Sequence, residues 1–265
     1  MSTTNSSTER FNAEAAAWDS NPVTVRSSQL AYEALLEHVP SLKASKPNIL
    51  EIGCGTGLLS LPLSAHANTL VGVDLAAGMV AALNAKLAGN SPTTTTTTTT
   101  SSSSSSSPTD KYNNIAAVAT LLTHPDQPEI QSAARSRLQG RSADAPVRWD
   151  LVVSHLTLHH IPDMLATLRT CHACLARGGA IALTDFEDCG DGDAVLFHPA
   201  SKRADVERHG IKREEMAALI EQAGFGDVSV ERAFVLEKEV DPAEAGGRTS
   251  VGFPFLICKG TKLRN

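Results

Sequence analysis

Short apolar runs and longer amphipathic stretches alternate along this chain, and the alternation predicts its secondary structure. Five apolar runs have the length of buried strands, at residues 48–52, 69–73, 114–122, 149–155 and 180–186. Four stretches carry apolar residues at helical spacing, at residues 58–66, 78–87, 164–175 and 212–223. Strands that alternate with helices predict a parallel sheet with helices on both faces, which is an α/β fold.

The ends of this pattern carry further signals. Helical spacing at residues 11–19 and 26–38 predicts two helices before the first strand. Two more strands are predicted near the C-terminal end, at residues 228–236 and 253–259. The helix at 164–175 is predicted to end at Gly178 and Gly179, because glycine is common just beyond the last helical turn.

Two polar segments interrupt the pattern. Residues 1–10 are rich in Ser and Thr and predict a flexible tail. An unbroken threonine run followed by an unbroken serine run predicts a disordered surface insertion at about residues 90–110, because such a segment buries nothing that offsets its ordering entropy. Residues 11–265 are predicted to form a single domain, since the chain of 265 residues is long enough for one full core.

Composition narrows the expected partners and compartment. The net charge of -6 and the isoelectric point near 5.8 provide no basic footprint for nucleic acid, so a small or neutral substrate is expected. The five cysteines are odd in number, and Cys171 and Cys174 lie in an amphipathic stretch, which predicts packed free thiols in a reducing compartment. No apolar run has the length of a signal peptide core or a membrane span. A soluble, cytoplasmic protein is expected, and entry into the nucleus stays open.

The most informative motif follows the first predicted strand. Glu51 is followed by glycines at alternate positions, Gly53, Gly55 and Gly57, and the second strand ends at Asp74. Such glycines let the backbone turn sharply and touch a ligand, and a carboxylate at the end of the next strand accepts the hydroxyls of a ribose. The motif predicts a nucleoside-type cofactor site. The alternatives are a plain tight turn and a nicotinamide site, but Leu58 occupies the position of that site's third glycine.

The spacing of Glu51, Gly53, Gly55 and Gly57 resembles motif I of the class I S-adenosylmethionine-dependent methyltransferases. The resemblance implies that Glu51 orients the methionine part of S-adenosylmethionine, that the glycine backbone lies under it, and that Asp74 binds the ribose. It also implies further cofactor contacts beside these motifs, from Cys54, Leu75, Met79, Leu121, Leu122 and Ser154. The implied fold is Rossmann-like, a seven-stranded, mostly parallel sheet that ends in an antiparallel strand hairpin.

Two other segments resemble the same family. Residues 149–163, with Ser154 and His155 at the strand end, look like motif IV of small-molecule enzymes related to the ubiquinone and menaquinone C-methyltransferases. Phe11, Trp18 and Asp19 stand in a segment similar to the N-terminal part of these enzymes, which implies lid helices at residues 11–40. The implied activity is methyl transfer from S-adenosylmethionine to an oxygen or carbon of a small organic molecule.

Histidines are the candidate acid–base groups. His155, His159 and His160 follow the fourth strand, where open α/β sheets bind ligands, so one of them is the candidate catalytic base. The alternative is that His159 and His160 only hold the loop. His198 and His209 lie in a long loop, as pocket walls or as solvated side chains. No metal is expected, because neither Ser154 nor His155 supplies the carboxylate that a hard cation needs, although Asp185 and Glu187 keep the question open.

Other functions remain as alternatives. Methylation of amino nitrogens in DNA or glutamine is disfavoured, because Ser154 and His155 stand where those enzymes carry Asn or Asp followed by prolines. A protein methyltransferase would need an exposed peptide groove, and a cofactor-binding regulator would show no turnover. A nicotinamide oxidoreductase ranks last. The sequence leaves the acceptor, the methylated atom and the oligomeric state open.

Overall fold

The computed structural model describes residues 3–89, 112–138 and 145–264. Within them, one seven-stranded sheet has the order β3-β2-β1-β4-β5-β7-β6. The strands are β1 Asn48–Ile52, β2 Thr69–Asp74, β3 Ile115–Ala119, β4 Trp149–His155, β5 Leu175–Phe186, β6 Gly226–Glu239 and β7 Ser250–Thr261. Strands β1 to β5 run parallel, and β7 is antiparallel to both β5 and β6. The predicted Rossmann-like, mostly parallel sheet with a C-terminal antiparallel hairpin is confirmed.

Helices surround this sheet. The α-helices are α1 Thr3–Glu14, α2 Pro22–His38, α3 Ser41–Ala44, α4 Ser60–Leu63, α5 Ala77–Leu87, α6 Pro128–Arg137, α7 Met164–Cys174 and α8 Arg213–Gln222. Short 3-10 helices lie at Ala15–Ser20, Ser64–His66, Leu158–His160, Asp193–Phe197 and Ala200–Asp205. None of the helices in the described ranges is long and apolar enough to cross a membrane.

The core consists of two layers, one on each face of the sheet. All five residues of β1 are buried, as expected for a central parallel strand. Because successive side chains of a strand point to opposite faces, Leu50 and Val152 join the layer under α6, α7 and α8, whereas Ile49 and Leu151 join the layer under α2 and α4. This packing fixes β1 and β4 side by side in the middle of the sheet.

The strand order reverses between β1 and β4. The chain proceeds from β1 to β2 and β3 on one side, and then returns to β4 on the other side of β1. In open α/β sheets, the crevice at such a switch point, beyond the carboxyl ends of the strands, is where ligands bind. The glycine turn after β1 and the histidine segment after β4 therefore lie on the two sides of this crevice.

The N-terminal segment differs from the predicted tail. Helix α1 begins at Thr3, so residues 3–10, which the sequence predicts as part of a flexible tail, lie in a helix. The Ser7 hydroxyl donates a hydrogen bond to the carbonyl of Asp205, and the Arg10 guanidinium is 3.0 Å from the Asp205 carboxylate. The composition of residues 1–10 does not predict this helix, because contacts that stabilise it come from a segment almost two hundred residues away. The predicted insertion at about 90–110 lies outside the described residues.

The end of helix α7 also differs from its prediction. Leu175 is already extended and pairs with Trp149 of β4, so β5 begins there and runs through Gly178 and Gly179. A side chain at position 179 would place its Cβ only 2.9 Å from the carbonyl oxygen of Trp149. Gly179 therefore permits a close approach between strands rather than capping a helix.

Candidate active site

The turn after β1 has the left-handed backbone that its glycines predict. Gly53, Gly55 and Gly57 have φ angles of +70°, +52° and +88°. The amides of Gly53 and Cys54 both donate to the carbonyl of Val73 in β2, at 2.8 and 3.1 Å. A Cβ added at Gly55 would meet no atom within 4 Å. The turn is thus anchored on β2, and its middle lies open toward a ligand.

Asp74 is positioned by this turn. Its Oδ2 accepts a hydrogen bond from the Gly55 amide at 2.9 Å, and its Oδ1 accepts one from the Ala76 amide at 2.8 Å. Burial raises the pKa of Asp74, and the two backbone hydrogen bonds oppose that increase. Each carboxylate oxygen can accept more than one hydrogen bond, so Asp74 keeps capacity for the two hydroxyls of a ribose.

Glu51 is almost fully buried at the end of β1, with 2% of its surface exposed. It accepts a hydrogen bond from the Ser60 hydroxyl. Burial raises the pKa of Glu51 to about 8, the Ser60 hydrogen bond opposes this increase, and the charge of Asp74 adds to it. The carboxyl group is therefore mostly protonated at pH 7.

A cavity of about 460 Å³ joins these groups to the histidine segment. Nine of the residues expected to bind the cofactor line it: Glu51, Gly53, Cys54, Gly55, Asp74, Leu75, Met79, Leu121 and Leu122. Its wall also includes Phe11 and Trp18 from the N-terminal segment, and His155, Leu156, Thr157 and His160 from the segment after β4. The volume and the mixture of apolar walls with a few polar groups are typical of a small-molecule pocket.

Two expected cofactor residues have other surroundings. Gly57 and Ser154 are not among the described residues that line this cavity. A Cβ at Gly57 would be 2.4 Å from Cδ1 of Leu83, so this glycine permits helix α5 to pack closely. Ser154 is buried in β4, with 1% of its surface exposed.

His155 has a defined hydrogen-bonding arrangement. The Thr184 hydroxyl donates to the carbonyl of Ser154 at 3.1 Å, and Nδ1 of His155 is 2.9 Å from the same hydroxyl oxygen. Because the hydroxyl has only one proton, Nδ1 of His155 must be the donor in the second bond, which leaves a lone pair on Nε2. Burial lowers the pKa of His155 to about 4, so the ring is neutral at pH 7. Its Nε2 can accept a proton.

His159 is held by a buried carboxylate. Its Nδ1 lies 2.9 Å from Oδ1 of Asp185, and its backbone amide donates to Oδ2 at 3.1 Å. Burial alone would raise the pKa of Asp185, but the charge and hydrogen bonds of His159, with the Phe186 amide, together lower it. In the described part of the chain His159 does not line the first cavity, whereas His155 and His160 do.

A second cavity of about 310 Å³ adjoins the first. His159, His160 and His198 line it together, and His160 lines both cavities. Burial lowers the pKa of His160 to about 3 and that of His198 to about 2, and the neighbouring histidines add to both decreases. His209 lies elsewhere, on a third cavity. Of the two loop histidines, His198 therefore lies beside His159 and His160 at the second cavity, whereas His209 lies outside it.

The N-terminal segment is attached to the cofactor-binding elements. Oδ1 of Asn12 accepts a hydrogen bond from the Gly78 amide at the start of helix α5, and Oδ1 of Asp19 accepts one from the Thr56 hydroxyl. Lys86 forms an ion pair with Asp19. The ring of Phe11 packs edge-on against His160, with centroids 5.2 Å apart. These contacts place the segment over the cavity.

Several site residues had no signal in the sequence. Leu156 has a φ of +52°, a left-handed conformation that is uncommon for such a side chain and occurs often at functional sites. The Thr157 hydroxyl oxygen is 3.1 Å from the carbonyl oxygen of His155 and 3.4 Å from that of Ile52, and its single proton is shared between them. Only the fold shows which of these residues face the cavity.

The buried histidines predict acid sensitivity. The pKa of His155 in the folded protein is about 4, against an ordinary value of 6.5. The unfolded chain therefore binds a proton at this histidine first as the pH falls, so the contribution of His155 to stability is complete above pH 6.5 and is lost toward pH 4. We expect each such histidine to lower the free energy of unfolding by at most about 1.4 kcal/mol per pH unit in that range.

Urea unfolding across this pH range tests the expectation. His198→Gln removes one low-pKa histidine and should flatten the dependence. His124→Gln changes an exposed histidine and serves as the control. A wild-type free energy of unfolding that stays constant from pH 6.5 to pH 4 would contradict the expectation.

The family and fold of this chain emerge from comparison with known proteins. The model of a family described as a methyltransferase domain matches residues 26–230. No curated protein shows a significant sequence match. The magnesium protoporphyrin IX methyltransferase ChlM of Synechocystis PCC 6803, solved with bound SAM, is 14% identical with a TM-score of 0.56, and the match covers 99% of this chain and 98% of that one.

Two further solved structures are similar over nearly their whole lengths. The N-methyltransferase NodS of Bradyrhizobium japonicum WM9, in complex with S-adenosylhomocysteine, is 16% identical with a TM-score of 0.54, covering 98% of this chain and 99% of that one. DhpI in complex with SAH is 19% identical with a TM-score of 0.56, covering 96% of this chain and 95% of that one. The chain belongs to the class I methyltransferase family, whose cofactor is S-adenosylmethionine.

Proposed function

We propose that this methyltransferase transfers a methyl group to an oxygen or carbon of a small organic molecule. The observation that carries the proposal is the covered cavity, in which the N-terminal segment closes over the switch-point crevice. Phe11 and Trp18 of this segment line the cavity, together with His155 and His160. A pocket of this size, enclosed by a segment of the same chain, suits a compact acceptor that is shielded from water.

The residues around the cavity suit S-adenosylmethionine. A side chain at Gly55 would extend into the open middle of the turn, where the backbone must lie close to the ligand. We assign the ribose hydroxyls to Asp74, the methionine part to Glu51, and the adenine side to the apolar Leu121 and Leu122. Bound S-adenosylmethionine supplies a methyl group already activated by a positively charged sulfur. The task of the chain is then to position the acceptor and exclude water.

We assign the general base to Nε2 of His155. The Thr184 hydroxyl fixes the ring through Nδ1, so the lone pair on Nε2 is available to a proton of the acceptor. His160, on the same cavity, is the second candidate. His159 serves as a positioning residue in this scheme, because Asp185 holds it at the second cavity.

The alternatives make different demands on this site. A protein methyltransferase needs an open peptide groove, and the helical cover argues against it. A regulator without turnover would bind S-adenosylmethionine without releasing S-adenosylhomocysteine. The relation to the ubiquinone and menaquinone C-methyltransferases, the absence of a nucleic-acid substrate and the cytoplasmic location remain predictions.

A screen of methyl acceptors tests the proposed function. Phenols, carboxylic acids, activated carbon acids, amines and peptides are each incubated with the protein and S-adenosylmethionine, and S-adenosylhomocysteine is measured. We expect release with an oxygen or carbon acid. Release only with peptides or amines would contradict the proposal, and cofactor binding without release from any class would favour a regulator.

Asp74→Ala is expected to weaken S-adenosylmethionine binding by about 1–3 kcal/mol, roughly 5- to 150-fold in Kd, through lost hydrogen bonds to a charged group. Calorimetry measures the change. Asp150→Ala is the matched control. The Asp150 carboxylate also accepts a hydrogen bond from a backbone amide, that of Asn48 at 2.8 Å, but it lies at the opposite end of the parallel strands. Equal effects of the two variants on Kd would refute the assignment of Asp74.

Cofactor binding is expected to release a proton from Glu51. With a pKa of about 8, Glu51 is protonated in roughly nine tenths of the free molecules at pH 7. The cationic amino group of the methionine part favours the carboxylate, so binding should release close to one proton per chain. Calorimetry in buffers with different ionisation enthalpies measures this number, and Glu51→Gln should abolish it. A buffer-independent enthalpy for the wild type would rule out the linkage.

A further inference from the structure

We propose that His159, His160 and His198 form a binding site for a divalent transition-metal ion of the zinc type, in the wall of the second cavity. One ligand atom from each of the three rings lies within 4.8 Å of the other two. The centroid of the His159 ring lies 4.1 Å from that of the His160 ring and 5.1 Å from that of the His198 ring. The site combines two neighbours in sequence with a residue from a distant loop.

Each ring has a nitrogen that needs a partner. Nε2 of His159, Nδ1 of His160 and Nδ1 of His198 are buried and have no hydrogen-bond partner among the described residues. Buried polar atoms are nearly always paired, so three unpaired nitrogens in one small cluster require an explanation. A metal ion satisfies all three at once, because each imidazole presents a lone pair to it.

In two of the three rings, those of His159 and His160, a hydrogen bond to a neighbouring residue fixes the orientation. Nδ1 of His159 is held by both carboxylate oxygens of Asp185, at 2.9 and 3.0 Å. His160 forms a hydrogen bond with the backbone of Asp205. Metal-binding histidines typically donate their second N–H group to a carboxylate or carbonyl, which fixes the tautomer and the ring orientation. This arrangement is therefore more specific than three histidines that happen to be near one another.

The ligands indicate the class of metal. Three imidazoles suit Zn²⁺ and related ions such as Co²⁺, whereas Mg²⁺ and Ca²⁺ prefer oxygen ligands. Ligands about 2.0–2.1 Å from a tetrahedral zinc stand about 3.4 Å apart, so binding would draw the widest pair together by at most about 1.4 Å. His160 and His198 lie at the ends of short 3-10 helices, where small ring rotations can achieve this.

The sequence predicts no metal because neither Ser154 nor His155 supplies the carboxylate that a hard cation requires. The cluster differs in place and in chemistry, since it lies one turn later and uses nitrogen ligands. The carboxylate of Asp185 takes part through His159 rather than directly.

The fourth coordination position would face the second cavity. Arg10, Lys202 and Lys238 line this cavity, and Glu14 is within 3.3 Å of Arg10 and 2.5 Å of Lys202. Because these side chains and the metal ion are all positively charged, an anionic oxygen is the fourth ligand that suits this position. An acidic oxygen of the methyl acceptor could take the position, and this last step alone rests on the proposed function.

Metal binding is measured on untagged protein that has been stripped with a chelator and dialysed. We expect calorimetry with Zn²⁺ to show one ion bound per chain, and Co²⁺ to give the intense visible absorption of a tetrahedral site. His198→Gln and His160→Gln should each weaken binding at least about tenfold. His209→Gln and Cys189→Ser are the controls, since the first changes a histidine of the same loop outside the cluster and the second removes an exposed thiol.

Absence of saturable Zn²⁺ binding by the folded wild type would overturn the proposal, and so would unchanged affinity in both cluster variants. Loss of binding in Cys189→Ser would assign the metal to the thiol and overturn it as well. Far-ultraviolet circular dichroism confirms that each variant is folded. Titration of the same stripped protein with S-adenosylmethionine keeps the two proposals separate, because cofactor binding and acceptor turnover without metal binding would refute only the metal site.

Discussion

The Gly53→Ala variant is expected to lose about 2–5 kcal/mol of unfolding free energy. Gly53 has a φ of +70°, a conformation that costs a residue with a Cβ about 1–2 kcal/mol. The new Cβ would also stand 2.1 Å from the Thr157 hydroxyl oxygen and 2.7 Å from its methyl carbon. Relief of this overlap must move the segment after β4, at a further cost of about 1–3 kcal/mol.

Urea unfolding measures this loss, and two further variants identify its cause. Gly55→Ala carries the same type of backbone strain at a φ of +52°, but its Cβ meets no atom within 4 Å. It should lose only about 1–2 kcal/mol of stability while weakening cofactor binding strongly. Adding Thr157→Ala to Gly53→Ala should recover part of the loss, because it removes both clashing atoms. Equal stability losses in the two glycine variants would contradict the role of Thr157.

Replacement of His155 by Gln is expected to lower kcat about 10²-fold, or roughly 2.7 kcal/mol in barrier height, once an acceptor is known. Glutamine can still hydrogen-bond to Thr184 but cannot accept a proton at neutral pH. Cofactor affinity should change little, because the assigned cofactor groups are Glu51, Asp74 and the glycine turn. Steady-state kinetics and calorimetry of the same preparation measure the two quantities.

Two comparisons sharpen this prediction. Thr184→Val leaves the imidazole in place but removes the acceptor of its Nδ1–H, so it should lower kcat by less than His155→Gln does. His160→Gln tests the second candidate base on the same cavity. If His155→Gln retains a third or more of the wild-type kcat, His155 is not the base.

The strand and helix pattern was readable because it depends on local spacing. Buried parallel strands produce continuous apolar runs, and β1 is buried at every position. The predicted ends of strands and helices differ from the observed ends by several residues where strand pairing, rather than local composition, determines them. Strand β5 starts at Leu175 because that residue pairs with Trp149, which lies 26 positions earlier. Helix α1 is not predicted for the same reason, since it is held by contacts with distant residues such as Asp205 and Gly78.

The turn between β1 and helix α4 and the acid at the end of β2 were determined by the sequence itself. A left-handed backbone at Gly53 and Gly55 is a local property, and the carboxyl ends of neighbouring parallel strands meet at one edge of the sheet. Asp74 reaches the Gly55 amide through the pairing of the consecutive strands β1 and β2.

Only the tertiary structure determines which cavity each histidine lines and which residue holds its ring. His155, His159 and His160 are near neighbours in sequence, yet Thr184 and Asp185 of β5 hold the first two at different, adjoining cavities. His198 joins His159 and His160 across nearly forty residues. Burial, tautomer and partner depend on contacts between distant segments, which spacing along a chain does not encode.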